Sequence, residues 1–440
     1  MDLTSSDEDA GSPAGRLEPA RFKVMVIVGT RPEVIKLSRV IAALERHVDV
    51  RLVHSGQNHA YELGQIFFDE LGIRPPDHYL DAVLPGATAA DTIGQVIARV
   101  DRVLAAERPD AVLLYGDTNT CLAVIPAKRR HIPVFHMEAG NRCFDDRVPE
   151  EINRRLVDHL SDVNLPLTEH ARRHLLAEGL PANRIFVSGS PMKEVLTRHH
   201  AQIEASTVLA DLGLRPRRYL LVSAHREENV DRPDLLRALL DTLTLLADRY
   251  DLPVVVSTHP RTRSRLDELG VGGPTAGPVG AVGVDPRVRF LRPFGLADYV
   301  ALQCAAHCVI SDSGTLTEEA ALLGFPAVMI RESHERPEGF DHGVLVSSVL
   351  RPDRILAAVR AVVDEDADRP RRSLPPDYDV DDVSTRVLRI ILSYVDQVNR
   401  TVWHRGPGRS AGAVEPVRVP ASRLGASRPD EPAAASTRLA

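Results

Sequence analysis

Cysteine, aromatic side chains and long apolar runs are all scarce in this chain, and each scarcity excludes something. Four cysteines occur in 440 residues, Cys121, Cys143, Cys304 and Cys308, and no two form a CxxC pair. That argues against a disulfide framework and makes a reducing, cytoplasmic setting the expectation. Cys304 and Cys308 lie four residues apart, one helical turn, and read as small core residues. No stretch approaches the roughly 20 consecutive apolar residues of a membrane span, so no membrane partner is expected. Residues 1–20 are acidic and rich in Ser, Gly and Pro without an apolar core, which is not the pattern of a secretory signal. Positive charge is not in excess either. A net charge of −7 gives no general electrostatic case for nucleic acid. The short basic run Lys128-Arg129-Arg130-His131 fits a helix C-terminus, where cations are favoured. Aromatics make up 4% of the chain against 43% hydrophobic residues, so Ala, Val and Leu must fill the core. That profile suits helices and buried parallel strands.

Strand-like and helix-like segments alternate along most of the chain. Strands are expected at 23–28, 50–54, 111–115, 133–137, 163–166 and 185–188, and in a second series at 219–223, 253–257, 288–291, 308–311 and 327–330. Between the series, from Pro191 to about Leu214, the pattern is helical. Alternating β and α segments imply parallel sheets with right-handed crossovers. The expected fold is therefore α/β, with two doubly wound, Rossmann-like domains facing a central cleft. The expected boundaries are a disordered arm at 1–20, a first domain at 21–191, a second at 192–380, a helix at 381–405 packing back on the first, and a disordered tail at 406–440. Residues 271–286 are dense in Gly and Pro and read as a surface loop.

Ligands of open α/β sheets bind outside the C-terminal ends of the strands, so the residues that follow each strand carry the chemistry. The first strand runs into Gly29-Thr30-Arg31-Pro32-Glu33-Val34-Ile35-Lys36. Thr30 and Glu33 have capping-box spacing and Pro32 suits a first helical turn. A plain capped helix explains those three, but not why Arg31 and Lys36 sit at an end that already attracts anions. The GxGxxG pattern is missing, so a dinucleotide cofactor has no support. The segment after 111–115 brings Asp117, which also suits a plain helix cap. The segment after 133–137 brings Glu138, then Arg142, and Glu150 opens the next helix. Glu151 and Arg155 have the i,i+4 spacing of a surface ion pair. Asp117, Glu138 and Glu150 would converge if their strands are neighbours, and at least one carboxyl should then be pushed up. That arrangement suits proton transfer near neutral pH. Two carboxylates also fit a glycosidase, but the cations nearby favour a substrate carrying phosphate.

In the second series His225-Arg226 and His259 follow two strands in the same way. A His pair invites a metal, yet no third ligand with sensible spacing accompanies it, so no metal is expected. Phosphate contact by His225 and Arg226 is the more economical reading. Ser311-Asp312-Ser313-Gly314-Thr315 turns from a strand into a helix, where Ser313, Gly314 and Thr315 can offer N–H and hydroxyl groups to a phosphate. Glu319 lies one turn on, within reach of ribose hydroxyls, and the segment around Arg336 adds charge to the same edge.

Together these segments resemble the non-hydrolysing UDP-N-acetylglucosamine 2-epimerases. The carrying motifs are GTRPEVIK (29–36), GDTNT (116–120), HMEAG (136–140), PEEINR (149–154), HREEN (225–229), DSGTLTEE (312–319) and ERPEG (335–339). They stand in family order and span about residues 21–400. The resemblance implies two Rossmann-like domains in the glycosyltransferase-B arrangement, with UDP between them and no cofactor. It implies Asp117, Glu138 and Glu150 as acid–base carboxylates, with the individual steps unassigned. Lys36 and His225 would assist the leaving diphosphate. Arg31, Arg142, Arg226, His259, Ser313, Gly314, Thr315 and Arg336 would bind UDP or substrate, and Glu319 the ribose. A UDP-sugar substrate and a homodimer are the implied partners. The chain departs from the family at Gly314-Thr315, where two glycines are usual, and at Arg226-Glu227, where two arginines are usual. Gly56-Gln57-Asn58-His59 departs from the pattern of a regulatory UDP-sugar site, which is expected to be weak or absent. The HMEAGNRCFD and PEEINR form is similar to branches acting on modified sugars in surface-polysaccharide pathways. A glycosyltransferase, a hydrolysing epimerase and a non-catalytic UDP-sugar sensor remain as alternatives.

Overall fold

A computed structural model describes residues 21–56, 65–84, 86–271, 284–368 and 373–406. The arm at 1–20, residues 407–440, Gln57-Asn58-His59 and most of the 271–286 loop lie outside the described residues.

Among the described residues, twelve strands form two parallel sheets. The first holds β1 (Lys23–Val28), β2 (Asp49–His54), β3 (His78–Tyr79), β4 (Ala111–Tyr115), β5 (Val134–Met137) and β6 (Val163–Leu165), in the order β3-β2-β1-β4-β5-β6. The second holds β7 (Leu220–Ser223), β8 (Val254–Ser257), β9 (Val288–Leu291), β10 (Cys308–Ser311), β11 (Ala327–Met329) and β12 (Val346–Ser347), in the order β12-β11-β10-β7-β8-β9. Read from its own first strand, the second sheet repeats the order of the first. Each therefore reverses direction between its first and fourth strands, β1 and β4 in one, β7 and β10 in the other. A doubly wound sheet opens its crevice at that reversal. The α/β class and the facing, glycosyltransferase-B-like pair of Rossmann-like units expected from the sequence are what the structure has.

The central strands are apolar on both faces because helices cover both. β4 is buried along its whole length, Ala-Val-Leu-Leu-Tyr. Val24, Val26 and Val28 point into one core with Leu37, Val40 and Ile41 of the helix Arg31–Glu45, and Met25 and Ile27 into another with Val96 and Val100. The helix Val383–Thr401 lays Val383, Val387, Ile391, Val395 and Val398, spaced for one face, into the first of these cores. The chain thus returns to its N-terminal half after completing the second sheet.

The expected strand at 185–188 is not one. Ile185 makes a single bridge to Asn164, and although Phe186 N and Ser188 N donate to Asn164 O and Pro166 O, Pro166 has no N–H with which to continue the ladder. β3 and β12 are not legible in the sequence because two residues carry no periodicity. Cys304 and Cys308 do not share a helix face. The helix Leu296–Ala305 ends between them, so Cys304 is exposed and Cys308 opens β10.

Gly140 follows β5 with φ 82°, and a Cβ there would lie 2.3 Å from the carbonyl oxygen of Ala171. Backbone cannot step aside as a side chain can. Gly140→Ala should lower stability by about 3 kcal/mol, read as a fall in the thermal unfolding midpoint. An unchanged midpoint would refute the close approach.

Candidate active site

The turn after β1 begins the site. Glu33 caps the helix Arg31–Glu45, accepting from Gly29 N and from Thr30 N at 3.1 Å, while its other oxygen takes Thr118 Oγ1 at 2.6 Å. One buried carboxylate thus ties the turn after β1 to the turn after β4. Burial outweighs those hydrogen bonds and pushes the Glu33 carboxyl up to about 7. The second sheet uses the same device. Asp312, after β10, accepts from the backbone N–H of His225 (2.8 Å) and Arg226 (2.9 Å) and from Asn229 Nδ2 (3.1 Å), and its Oδ1 lies 2.9 Å from His225 Nδ1. Burial would raise Asp312, but His225 and the N–H donors hold it far below the carboxylate range.

Residues from the two halves meet in one cleft. Lys36, Asp117, Glu138 and Glu150 line it from the first half, and His225, Arg226, Ser313, Gly314, Thr315 and Arg336 from the second. Lys36, His225, His259, Ser313 and Thr315 are shared with an adjoining chamber that adds Arg31 and Glu319. Nearly every position singled out in the sequence is brought to this one space.

Its electrostatics are differentiated. Glu138 sits at φ 62°, in the left-handed region that non-glycine residues seldom occupy. Its Oε2 is 3.3 Å from Lys36 Nζ and its Oε1 2.7 Å from Arg336 Nη2. Burial alone would raise this carboxyl; Lys36 and Arg336 outweigh it and hold Glu138 at about 2. Lys36 is itself 1% exposed and pairs at 2.6 Å with Glu318, which also receives Arg336 at 3.3 Å and the hydroxyl of Ser190. Asp117 accepts Arg154 Nε at 2.8 Å, yet burial, helped by the nearby Glu150 and Glu138 charges, raises its carboxyl. Neighbouring carboxyls pushed in opposite directions are the arrangement that allows one to hold a proton while the other is ionised. Glu150 Oε1 lies 3.3 Å from Arg226 Nη1.

The chamber side suits a nucleotide. Ser313 Oγ and Thr315 Oγ1 are 3.0 Å apart at the head of the helix Leu316–Leu323. Glu319 accepts Gln303 Nε2 at 2.6 Å, and burial raises its carboxyl. The His259 ring lies 5.4 Å from that of His225. Burial first, then His225 and Arg31, lower His259 to about 4, so it is neutral at neutral pH.

Two expectations need correction. Arg142 does not reach the cleft. It is wholly buried behind it, donating to Asp158 Oδ2 at 2.7 Å and to both oxygens of Glu178 at 2.7 Å, while His136 takes the other Asp158 oxygen at 2.8 Å. Glu151 keeps the expected i,i+4 pair with Arg155, at 3.3 Å, but it is not a surface residue: it is fully buried and also accepts from Cys143 N, Phe144 N and Arg154 Nη1. Glu151 is buried because backbone N–H groups in the tight turn between β5 and the helix Pro149–Leu160 need an acceptor, and Arg142 because Asp158, which accepts from Gly140 N, needs a counter-charge. Sequence reasoning left four site residues without a role, Arg154, Asp312, Glu318 and Glu335. Asp312 and Glu318 adjoin assigned positions, which was the available signal. Arg154 and Glu335 act through contacts across the cleft, and spacing does not report those.

Fold and cleft together define a two-domain α/β protein with a cleft between its halves lined by cations and carboxylates. A family model described as UDP-N-acetylglucosamine 2-epimerase matches residues 42–392. The solved UDP-N-acetylglucosamine 2-epimerase from Rickettsia bellii is 52% identical, covers 88% of this chain and 100% of its own, and superposes with a TM-score of 0.79. The Methanocaldococcus jannaschii UDP-GlcNAc 2-epimerase, solved in complex with UDP-GlcNAc and UDP, is 31% identical, with 84% and 100% covered and a TM-score of 0.77. The UDP-2,3-diacetamido-2,3-dideoxy-D-glucuronate 2-epimerase of Pseudomonas aeruginosa is 33% identical over 345 residues, 77% of this chain and 92% of that one. This chain belongs to the UDP-N-acetylglucosamine 2-epimerase family.

The placement of Arg142 is testable. Arg142→Leu strands a buried Asp158 charge and should cost about 3–5 kcal/mol, measured by thermal unfolding, with nucleotide affinity of the folded protein little changed. A stable variant that loses nucleotide affinity would return Arg142 to the binding site.

Proposed function

We propose that the chain inverts C2 of a UDP-linked 2-acetamido sugar, with UDP-N-acetylglucosamine as the reference substrate, by eliminating UDP to a glycal and adding it back. The observation that carries this reading is the set of three cleft carboxylates, each paired with its own arginine, facing a phosphate-sized turn on the opposite half. The bound UDP-GlcNAc and UDP of the Methanocaldococcus jannaschii relative support the ligand class. The Pseudomonas aeruginosa relative supports a modified sugar, such as a diacetamido uronic acid, as the alternative substrate. The family resemblance supports a 6-deoxy-L-sugar likewise, a homodimer, and a place in surface-polysaccharide precursor synthesis in the cytoplasm.

A carboxylate takes the C2 proton. The C–H electron pair becomes the C1=C2 double bond, and the C1–O bond breaks with its pair left on the β-phosphate oxygen. In the return step a second group protonates C2 from the other face while that oxygen re-forms the bond to C1. Ionised Glu138 suits the base and Asp117, raised by burial, suits the proton carrier. At about 2 Glu138 is a weak base. A diphosphate that shares Lys36 and Arg336 would lift it, coupling substrate binding to base strength. Arg31, Ser313, Gly314, Thr315, Arg226 and His259 meet the diphosphate charge, Lys36 and His225 assist its departure, and Glu319 takes the ribose. Elimination from a weakly acidic C2–H needs both the placed base and the stabilised leaving group.

Proton NMR of UDP-GlcNAc with enzyme in D2O tests this. Deuterium should enter C2 as both epimers appear, without net UDP release. Glu138→Gln and Asp117→Asn should each slow exchange by about 10³-fold. Net UDP release would favour a hydrolysing epimerase or a glycosyltransferase, and an unchanged substrate a sensor. Asp117 as proton carrier predicts that turnover is lost as pH rises through its raised pKa. A falling limb that persists unchanged in Asp117→Asn would reject that role.

A further inference from the structure

Glu335 is 7% exposed, lies between β11 and the helix Pro337–Asp341, and lines the same cleft. No step of the proposed reaction uses it. Its Oε2 is 3.0 Å from Arg331 Nη1 and 3.9 Å from Arg154 Nη2, which belongs to the other half of the molecule. Arg226 and Arg336 line the same cleft and, with Arg331 and Arg154, bear on its charge, four guanidinium groups in all. Three of the four hold the reactive carboxylates: Arg154 on Asp117 at 2.8 Å, Arg226 on Glu150 at 3.3 Å, Arg336 on Glu138 at 2.7 Å. Gly314 leaves space for the Glu335 carboxylate, since a Cβ there would stand 2.9 Å from its Oε1. Arg154 Nη2 and Glu335 Oε2 are both buried and make no hydrogen bond among the described residues. An approach of about 1 Å between the two halves would complete that bond.

We propose that Glu335 is a positioning residue, the common counter-ion of the arginines that grip Asp117, Glu138 and Glu150, and that it sets how tightly those three carboxylates hold their protons. The inference rests on the epimerase reading for what the carboxylates do. A negative charge at Glu335 draws the arginines toward itself and repels the carboxylates, so each protonates more readily than under the arginines alone. Other charged groups bearing on these pairs are Lys36 on Glu138 and Glu318, Glu151 on Arg154, Glu228 on Arg331, Glu318 on Arg336, and His334 beside Glu335.

The sign follows from charge. Glu335→Gln removes a negative neighbour, strengthens the arginines' hold, and lowers the carboxyl pKa values. Both limbs of the pH profile for C2 exchange should therefore move to lower pH, by about one unit, with KM for UDP-GlcNAc changed less than threefold. Arg331→Gln removes a cation instead and should move the limbs to higher pH. A purely structural role would lower activity by the same factor at every pH. Limbs that stay in place in folded Glu335→Gln overturn the proposal. If that variant does not fold, unmoved limbs in Arg331→Gln do so. Proton uptake on binding UDP, measured by calorimetry in two buffers, separates the two readings. Wild-type enzyme that exchanges no C2 proton overturns the epimerase reading. UDP binding with the same proton uptake in wild type and both variants overturns the role of Glu335.

Discussion

A lysine ammonium removed from water needs carboxylates beside it, and Lys36 has them from both halves of the molecule, Glu138 from the first and Glu318 from the second. Arg336 closes the figure by reaching the same two carboxylates. Four charges buried together are stable only as a set, because removing one strands its partners. The rest of the cleft depends on that set. Lys36 stands on the helix that starts with Arg31, Glu318 on the helix headed by Ser313–Thr315, and Glu138 at the end of β5. Where these elements sit relative to one another is thereby tied to the charge state of the site.

Two sheets with the same strand order bring two reversal points face to face, and each is finished by one buried carboxylate. Glu33 joins the turns after β1 and β4 through Thr118. Asp312 joins those after β7 and β10 by accepting from the backbone of His225 and Arg226. Neither carboxylate need meet a substrate. Each uses the N–H groups that a strand-end turn leaves unpaired, and in doing so aims the residues that do.

Much of the framework is legible in the order of residues alone. Apolar runs closed by Gly, His or a carboxylate mark the strand ends, because a parallel strand buried on both faces has to be continuous in apolar residues and its polar neighbours collect at its tips. β1, β4 and β10 match their expected bounds for that reason. The expectations that failed were local ones overridden by tertiary burial. Arg142 looks like a free cation in a polar turn, and Glu151, which does pair with Arg155, looks like a surface residue, but both serve the buried wall behind the cleft. Cys304 and Cys308 have helical spacing across a helix end.

The amino-acid sequence was sufficient to specify the layer architecture, the reversal points and which side chains stand at the strand tips, since each depends on periodicity and on neighbours a few residues away. It was not sufficient to say which carboxylate is ionised or which arginine grips it. Lys36 and Glu318 are 282 residues apart in the chain and 2.6 Å apart in space. Asp117 rises and Glu138 falls although both follow buried parallel strands, because burial dominates at one and two cations at the other. Proton affinity is set by distance and dielectric, and those exist only once the two halves have closed on each other.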